Sequence, residues 1–447
     1  MNKLVNTHFV KCKSVIFLLF LTGLLFSIDT QAQVWSLQQC MDSAQQKNRS
    51  LLIARNNMEI GQQKVQEAKA NLIPKLVING DYRYYINLPY QFMPQSAFGG
   101  PEGVFKEIQF GVPHNINANL QLSIPLYNPQ AYGAIQSAKI ASELTDLQHR
   151  RSEEQVLYEV TNLYYNAQIL HYQVTFIDEN LINANKLLQN IQLLKEQLLA
   201  RGTDVSKTQL QVEQLTTQRE QVFSKYTQVI NALKISIGMG MDQSIEVEKD
   251  ILLSAMDDYS QASTLDMRLV TKQNALLNSE ISLLKNLRLP SLSLYGSYGV
   301  TGFGYDKAPN EFLKFYPVSF AGIQLSYSLF NGTITNRKLN QKKLELKNND
   351  LHFSLLTEQT NLAIETARQQ RSVATRSGAT TLKQTTLAQS IYDQTLLQQK
   401  QGLTSLTDVL LADNTLRETQ QNHLTALIDY LKADLDLRKT TGNLLNK

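Results

Sequence analysis

The chain has 447 residues, 18% of them charged, with a net charge of +4 and two cysteines. So even a balance, with basic residues dispersed along the chain, argues against a nucleic-acid partner, and two cysteines cannot build a disulfide framework or a cysteine-rich metal site. Beyond residue 32 no segment is apolar for the roughly 20 residues that a membrane-crossing helix needs.

Residues 1–32 have the pattern of a secretory signal peptide. Lys3, Lys11 and Lys13 precede an apolar run from Val15 to Phe26, and Thr30-Gln31-Ala32 resembles a small-residue cleavage site. Its removal would leave 415 of the 447 residues and a charge of about +2, because the segment holds three lysines against Asp29. Cys12 would leave with it, and Cys40 would then have no partner for an internal disulfide. An exported chain of this kind is periplasmic, secreted, or a β-structure in an outer membrane.

All ten prolines fall in two islands, 74–129 and 290–317. Proline breaks helices, and the proline-free tracts are rich in Gln, Leu, Ala, Lys and Glu, which favour them. The expectation is a mainly α protein with a small β portion. A first helix runs over 36–73, opened by the capping box Ser36-x-x-Gln39, with Trp35 and Cys40 where a hydrophobic staple would sit. A strand pair follows at 76–88 and 115–126, where Leu76, Ile78, Gly80, Tyr82 and Tyr84 alternate with Asn79, Asp81 and Arg83, and Ile116, Ala118, Leu120, Leu122 and Ile124 alternate with Asn117, Asn119, Gln121 and Ser123. Next come helices over 131–199, on the order of 100 Å long at 1.5 Å per residue, and over 205–237. In the longer one Ile177, Leu181, Ala184, Leu188, Ile191 and Leu198 trace a coiled-coil seam.

After a linker at 241–261 the pattern recurs: a helix over 262–289, strands at 291–301 and 318–330, and helices over 333–399 and 405–441. In this second pair Leu292, Leu294, Tyr298 and Val300 alternate with Ser291, Ser293 and Ser297, and Ile323, Leu325, Tyr327 and Leu329 alternate with Gln324, Ser326 and Ser328. Each strand approaches the 9–11 residues of a tilted membrane strand, although a half-buried soluble sheet alternates in the same way. Two repeats are thus expected, 33–240 and 262–447. Leu122-Ser123-Ile124-Pro125-Leu126-Tyr127-Asn128 answers Leu325-Ser326-Tyr327-Ser328-Leu329-Phe330-Asn331, and Gly202 answers Gly402 at a spacing of 200. Four strands cannot close a membrane barrel, for which about eight is the minimum, and an open edge in lipid leaves backbone groups unpaired. If the strands lie in a membrane, several chains must share one barrel.

With its opening Trp35-Ser36-Leu37-Gln38-Gln39-Cys40, its junctions Asn71-Leu72-Ile73-Pro74-Lys75-Leu76 and Pro125-Leu126-Tyr127-Asn128, and two glycine-centred helix tips, the chain resembles the TolC family of outer-membrane efflux proteins. The resemblance implies a homotrimer in the outer membrane of a Gram-negative bacterium, with a transmembrane β-barrel of twelve strands and an α-helical barrel extending into the periplasm. Loops 88–113 and 302–317 would face outside, and 239–261 with the C-terminus would form an equatorial collar. The entrance would dock on a periplasmic adaptor (membrane fusion) protein fed by an inner-membrane pump of RND or ABC type. Contact falls to Arg201, Gly202, Thr203, Gln401, Gly402 and Leu403, and the lipid-facing stripe to Ile78, Tyr82, Leu120, Leu122, Leu292, Leu294, Leu325 and Tyr327.

Glycine suits both tips because it reaches positive φ without penalty. Asp408 stands where the family often places an acidic ring that constricts the pore. Ser405-x-x-Asp408 is equally a capping box, and an acid in a first turn favours the helix dipole. Thr208 is taken as the counterpart of Asp408, and Leu411 stands where a second acid would complete a double ring. For catalysis nothing converges: the histidines lack zinc spacing, and there is no phosphate loop or nucleophile elbow. The expected function is the exit duct of a tripartite efflux or secretion system, without cofactor or metal. A periplasmic coiled-coil scaffold and a stand-alone diffusion porin are the rival readings.

Overall fold

The computed structural model describes residues 33–251, 259–305 and 314–445. The signal segment, part of the linker and part of the second strand-pair loop lie outside the described residues.

In chain order the elements are β1 (Gln33–Trp35), α1 (Leu37–Lys47), α2 (Arg49–Ala70), β2 (Lys75–Tyr84), β3 (Tyr90–Pro94), a short 3-10 turn (Gln95–Phe98), β4 (Phe105–Gln109), β5 (His114–Tyr127), α3 (Pro129–Glu196), α4 (Gly202–Ser236), β6 (Ile245–Val247), α5 (Leu265–Asn286), β7 (Ser291–Gly304), β8 (Lys314–Ser326), α6 (Ile334–Lys400) and α7 (Leu406–Thr440). The fold is mainly α with a small β portion. It forms two compact units, and both draw on both halves of the sequence.

The first unit takes in the described residues up to Ile53, Arg151–Thr264 and Thr360 onward. The expected capping box is present: the Ser36 hydroxyl accepts from the Gln39 N–H (3.2 Å), and the Gln39 side-chain Oε1 accepts from the Ser36 N–H (2.9 Å). Cys40 is fully buried beside Ala44, Val160, Tyr164 and Leu233, with Trp35 packed against the same cluster. Burial pushes its thiol up to about 12, so it is inert.

The first helix, expected to run unbroken over 36–73, is interrupted at Asn48. That residue adopts an extended conformation (φ −63°, ψ 124°). Its Oδ1 accepts from the N–H groups of Ser50 (2.8 Å) and Leu51 (3.2 Å), and its Nδ2 donates to the Ser236 carbonyl (2.7 Å). An asparagine that caps one helix and binds another competes successfully with helix continuation.

The linker also holds structure that the sequence pattern does not reveal. β6 pairs in parallel with β1. The Tyr164 hydroxyl donates to the Trp35 carbonyl (3.0 Å) and accepts from the Glu248 N–H (3.2 Å), fastening both strands to α3. A buried ion cluster accompanies them. Asp434 on α7 meets Arg371 on α6 and Arg438 one turn away, each at 2.9 Å, and both guanidinium groups lie over the Tyr259 ring at 5.3 Å. The seam in α3 holds with two changes. Leu187, not Leu188, is the buried residue, and Leu198 is 93% exposed because the helix ends before it.

The second unit comprises Ala54–Arg150 and Leu265–Gln359. Its antiparallel sheet has the order β2-β5-β7-β8, with β2 and β8 as edges. Pro125 lies on an inner strand, where it cannot donate to the ladder, and the register slips there, between Pro125 and Tyr127. Pro317, expected in a loop, pairs with Val300 instead, which an edge strand tolerates. β8 stops at Ser326, so Tyr327 and Leu329 fall outside the strand where they were expected. The 88–113 segment is not plain loop, since β3 and β4 form an added hairpin. Helix segments of this unit are tied by polar contacts, among them Lys272–Glu143 (2.7 Å) and Asn349 to both Asn274 Oδ1 (2.7 Å) and the Val270 carbonyl (3.0 Å).

Candidate functional site

Two surfaces carry the residues singled out by the sequence. The first is the sheet. Directly paired residues of an antiparallel sheet share a face, so the register sorts the side chains. One face carries Leu76-Leu122-Gly296-Ala321, Ile78-Leu120-Tyr298-Ser319 and Gly80-Ala118-Val300-Pro317 in successive rows, then Ile124-Leu294-Ile323 and Leu292-Leu325 toward the helices. Seven of the eight stripe residues (Ile78, Tyr82, Leu120, Leu122, Leu292, Leu294 and Leu325) therefore lie on this one face, and Tyr327 lies beyond the strand. Ile78 is 79% exposed and Leu325 68%. An apolar face left this open by its own chain marks contact with a partner or a membrane.

The opposite face is polar on β2 and β5. Asn79 Nδ2 donates to Asn119 Oδ1 (3.2 Å), and Asn117 Nδ2 to Asp81 Oδ2 (3.2 Å) and Asn115 Oδ1 (3.0 Å). The Thr301 hydroxyl donates to Asn117 Oδ1 (3.0 Å), and Arg83 pairs with Asp81 at 2.9 Å. On β8 the alternation ends, because Tyr316, Val318 and Phe320 share this polar face.

The second surface is the pair of helix turns in the first unit. α3 ends at Leu198 in left-handed conformation (φ 59°), with Leu198 N–H donating to the Lys195 carbonyl (2.9 Å) and Leu199 N–H to that of Leu194 (2.8 Å). α6 ends in the same Schellman pattern at Gly402 (φ 74°), through the carbonyls of Gln399 (3.0 Å) and Gln398 (2.9 Å). Gly202 is therefore not the counterpart of Gly402. It is the first helical residue of α4 and has no positive φ.

The equivalent positions are 204 apart (198 to 402, 201 to 405, 204 to 408 and 238 to 442), and α4 and α7 both have 35 residues. This frame corrects the pairing of Asp408 with Thr208: the counterpart of Asp408 is Asp204. Thr208 is buried, its hydroxyl bonded to the Asp204 carbonyl (2.9 Å). The Gly238/Gly442 pair, both at positive φ, was the sequence signal that could have set the frame.

Asp408 is an exposed cap. Its Oδ2 accepts from the Ser405 hydroxyl (2.6 Å), the Thr404 hydroxyl (2.8 Å) and the Ser405 N–H (3.1 Å), and these bonds hold its carboxyl below the usual range. Asp204 accepts in the same way from the Arg201 N–H (3.3 Å), but arginine has no acceptor to complete the box. Arg201, Gly202, Thr203, Gln401, Gly402 and Leu403 are all exposed. Behind them the turns share one core of Leu187, Ile191, Tyr392, Val409 and Leu416. Sequence reading missed the polar contact set into the same helices, where buried Asp413 on α7 accepts from Gln211 on α4 and pairs with Arg417 at 3.0 Å. Burial pushes the Asp413 carboxyl up, against the pull of Arg417.

Among the described residues no group of side chains could hold a metal ion, and no helix is long and apolar enough to cross a membrane. An open-edged antiparallel sheet with one apolar face, joined to long helices, is the fold of an outer-membrane channel protomer. The outer membrane protein VceC of Vibrio cholerae has it, at 15% identity over 91% of this chain and 96% of that one, with a TM-score of 0.73. So does the open state of the Neisseria gonorrhoeae MtrE outer membrane channel, at 16% identity over 91% and 89%, with a TM-score of 0.72. The Campylobacter jejuni CmeC outer membrane channel is similar too, at 14% identity over 91% and 85%, with a TM-score of 0.71. No curated protein sequence matches the chain significantly. Residues 40–239, somewhat less than half of the chain, match the outer membrane efflux protein family, and the fold is similar to that of these channels over 91% of the chain.

Proposed function

We propose that the chain is the exit duct of a tripartite efflux or secretion system, a homotrimer whose three four-stranded sheets close one twelve-stranded barrel in the outer membrane. The observation that carries this reading is the sheet itself, apolar across all four strands on one face and unpaired at both edges, β2 and β8. In lipid such edges must be paired. β2 and β8 run in opposite directions, so the edge of one copy can pair with the other edge of the next in the same antiparallel sense.

The apolar face, with Ile78, Tyr82, Leu120, Leu122, Leu292, Leu294 and Leu325, then meets lipid, and the amide-rich face lines the lumen. The helices extend into the periplasm, and the turns at Arg201–Thr203 and Gln401–Leu403 dock on a periplasmic adaptor fed by an inner-membrane pump of RND or ABC type. Leu198, Leu199 and Leu403, each more than 70% exposed, give these turns an apolar tip suited to a coiled-coil partner. Asp408 narrows the pore as one acid of a ring that the corrected frame extends to Asp204. All its cap bonds fall on Oδ2, so cap and ring are compatible roles.

The test is fractionation with heat modification on gels. The expected result is trimers in the outer-membrane fraction that dissociate only on heating. Monomers in the soluble periplasm would overturn the reading in favour of a coiled-coil scaffold.

A further inference from the structure

The lumen-side face of β7 and β8 carries rings where β2 and β5 carry amides. Tyr295 packs edge-to-face on Phe320 (centroids 6.1 Å apart), and Phe303 lies against Tyr316 (6.1 Å), with Val318 between the two pairs. Gly322 lies directly across from Tyr295, and a Cβ there would come within 3.1 Å of the ring, so glycine leaves room for it to lie across the strand. Tyr316 and Phe320 are each about half exposed, at 52% and 53%. A polar-lined wall has no need of such a stripe, since polar alternation satisfies water on its own.

The charged groups on the same face are Lys75, Arg83 and Lys314 against Asp81, a surplus of positive charge. We propose that Tyr295, Phe303, Tyr316 and Phe320 form a stacking track in the channel for planar aromatic anions, such as aromatic carboxylates, whose rings slide along the aromatic faces while their charge is met by the basic groups. The track rests on the barrel reading above and adds a solute class to it.

The test uses the full chain reconstituted in planar bilayers, with 2-naphthoate, cyclohexanecarboxylate and 2-naphthylmethylammonium as probes. Stacking predicts that 2-naphthoate blocks the current at a concentration about fivefold lower than cyclohexanecarboxylate, which has the same charge and no π face. Joint substitution Tyr316→Leu and Phe320→Leu should keep the conductance and remove that difference. Equal block by the two carboxylates, or a difference that survives both substitutions, would overturn the track. Equal block by the naphthyl amine would overturn the assignment to anions. A protein that conducts nothing overturns the barrel reading itself, and the track with it.

Discussion

Leu198 and Gly402 occupy the same left-handed position of the two turns, at φ 59° and 74°, with different residues. A non-glycine residue there is strained by about 1–2 kcal/mol, whereas glycine loses more chain entropy on folding, by about 0.4–1 kcal/mol. Leu198 is 93% exposed, so replacing it loses no burial, and a Cβ on Gly402 meets no atom within 4 Å. Both changes thus act through the backbone alone. Leu198→Gly should stabilise its turn by about 0.5–1 kcal/mol, and Gly402→Ala should destabilise the other by a similar amount.

Hydrogen exchange followed by mass spectrometry on peptides covering residues 190–206 and 394–410 reads each turn separately, as local opening. Exchange should slow by roughly two- to fivefold in the first variant and quicken by as much in the second. Faster exchange in Leu198→Gly would refute the assignment of Leu198 as the strained counterpart of Gly402. The same variant also removes the most exposed tip leucine, so under the docking proposed above a steadier turn should bind an adaptor less well.

Asn48 holds two helix ends and the Ser236 carbonyl at once. Asn48→Ala should cost about 1 kcal/mol for the lost cap and about 1–3 kcal/mol for the stranded buried carbonyl. It should therefore lower the temperature at which the protein dissociates on gels more than Asn48→Ser, which keeps a capping oxygen and loses only the bond to the carbonyl; equal loss in both would assign the effect to the carbonyl bond alone. Asp413 has a carboxyl raised by burial, so the folded state holds its proton to higher pH than the unfolded one. Its contribution is fully present below the unfolded value of 3.8 and is lost as pH rises through the folded one. Urea midpoints measured upward from about pH 3.5 should show this decline in the wild type and lack it in Asp413→Asn; identical profiles would rule out Asp413 as the source.

Periodicity alone located every long helix to within a few residues and gave three of the four strands their faces, because those patterns record which side of an element meets water. The capping box at Ser36 and that at Ser405 were legible for the same reason: they are local in sequence. Less local features were not. The break at Asn48 depends on a carbonyl 188 residues away, and the β1–β6 pair joins segments that carry no strand signal over three residues each. The repeat frame was misread by four residues because glycine was taken as the marker of the turn, when the Schellman hydrogen bonds to Lys195 and Leu194 hold Leu198 in the glycine-like conformation. The start of β8 was expected as loop up to Pro317, and only the register put Tyr316 and Phe320 on the polar side beside Tyr295 and Phe303. The sequence by itself determined that the chain has two strand pairs among long helices and cannot close a barrel alone. Tertiary structure decided which residues of the two halves correspond, and which side chains share a face, because register and turn conformation are settled by contacts between segments far apart in the chain.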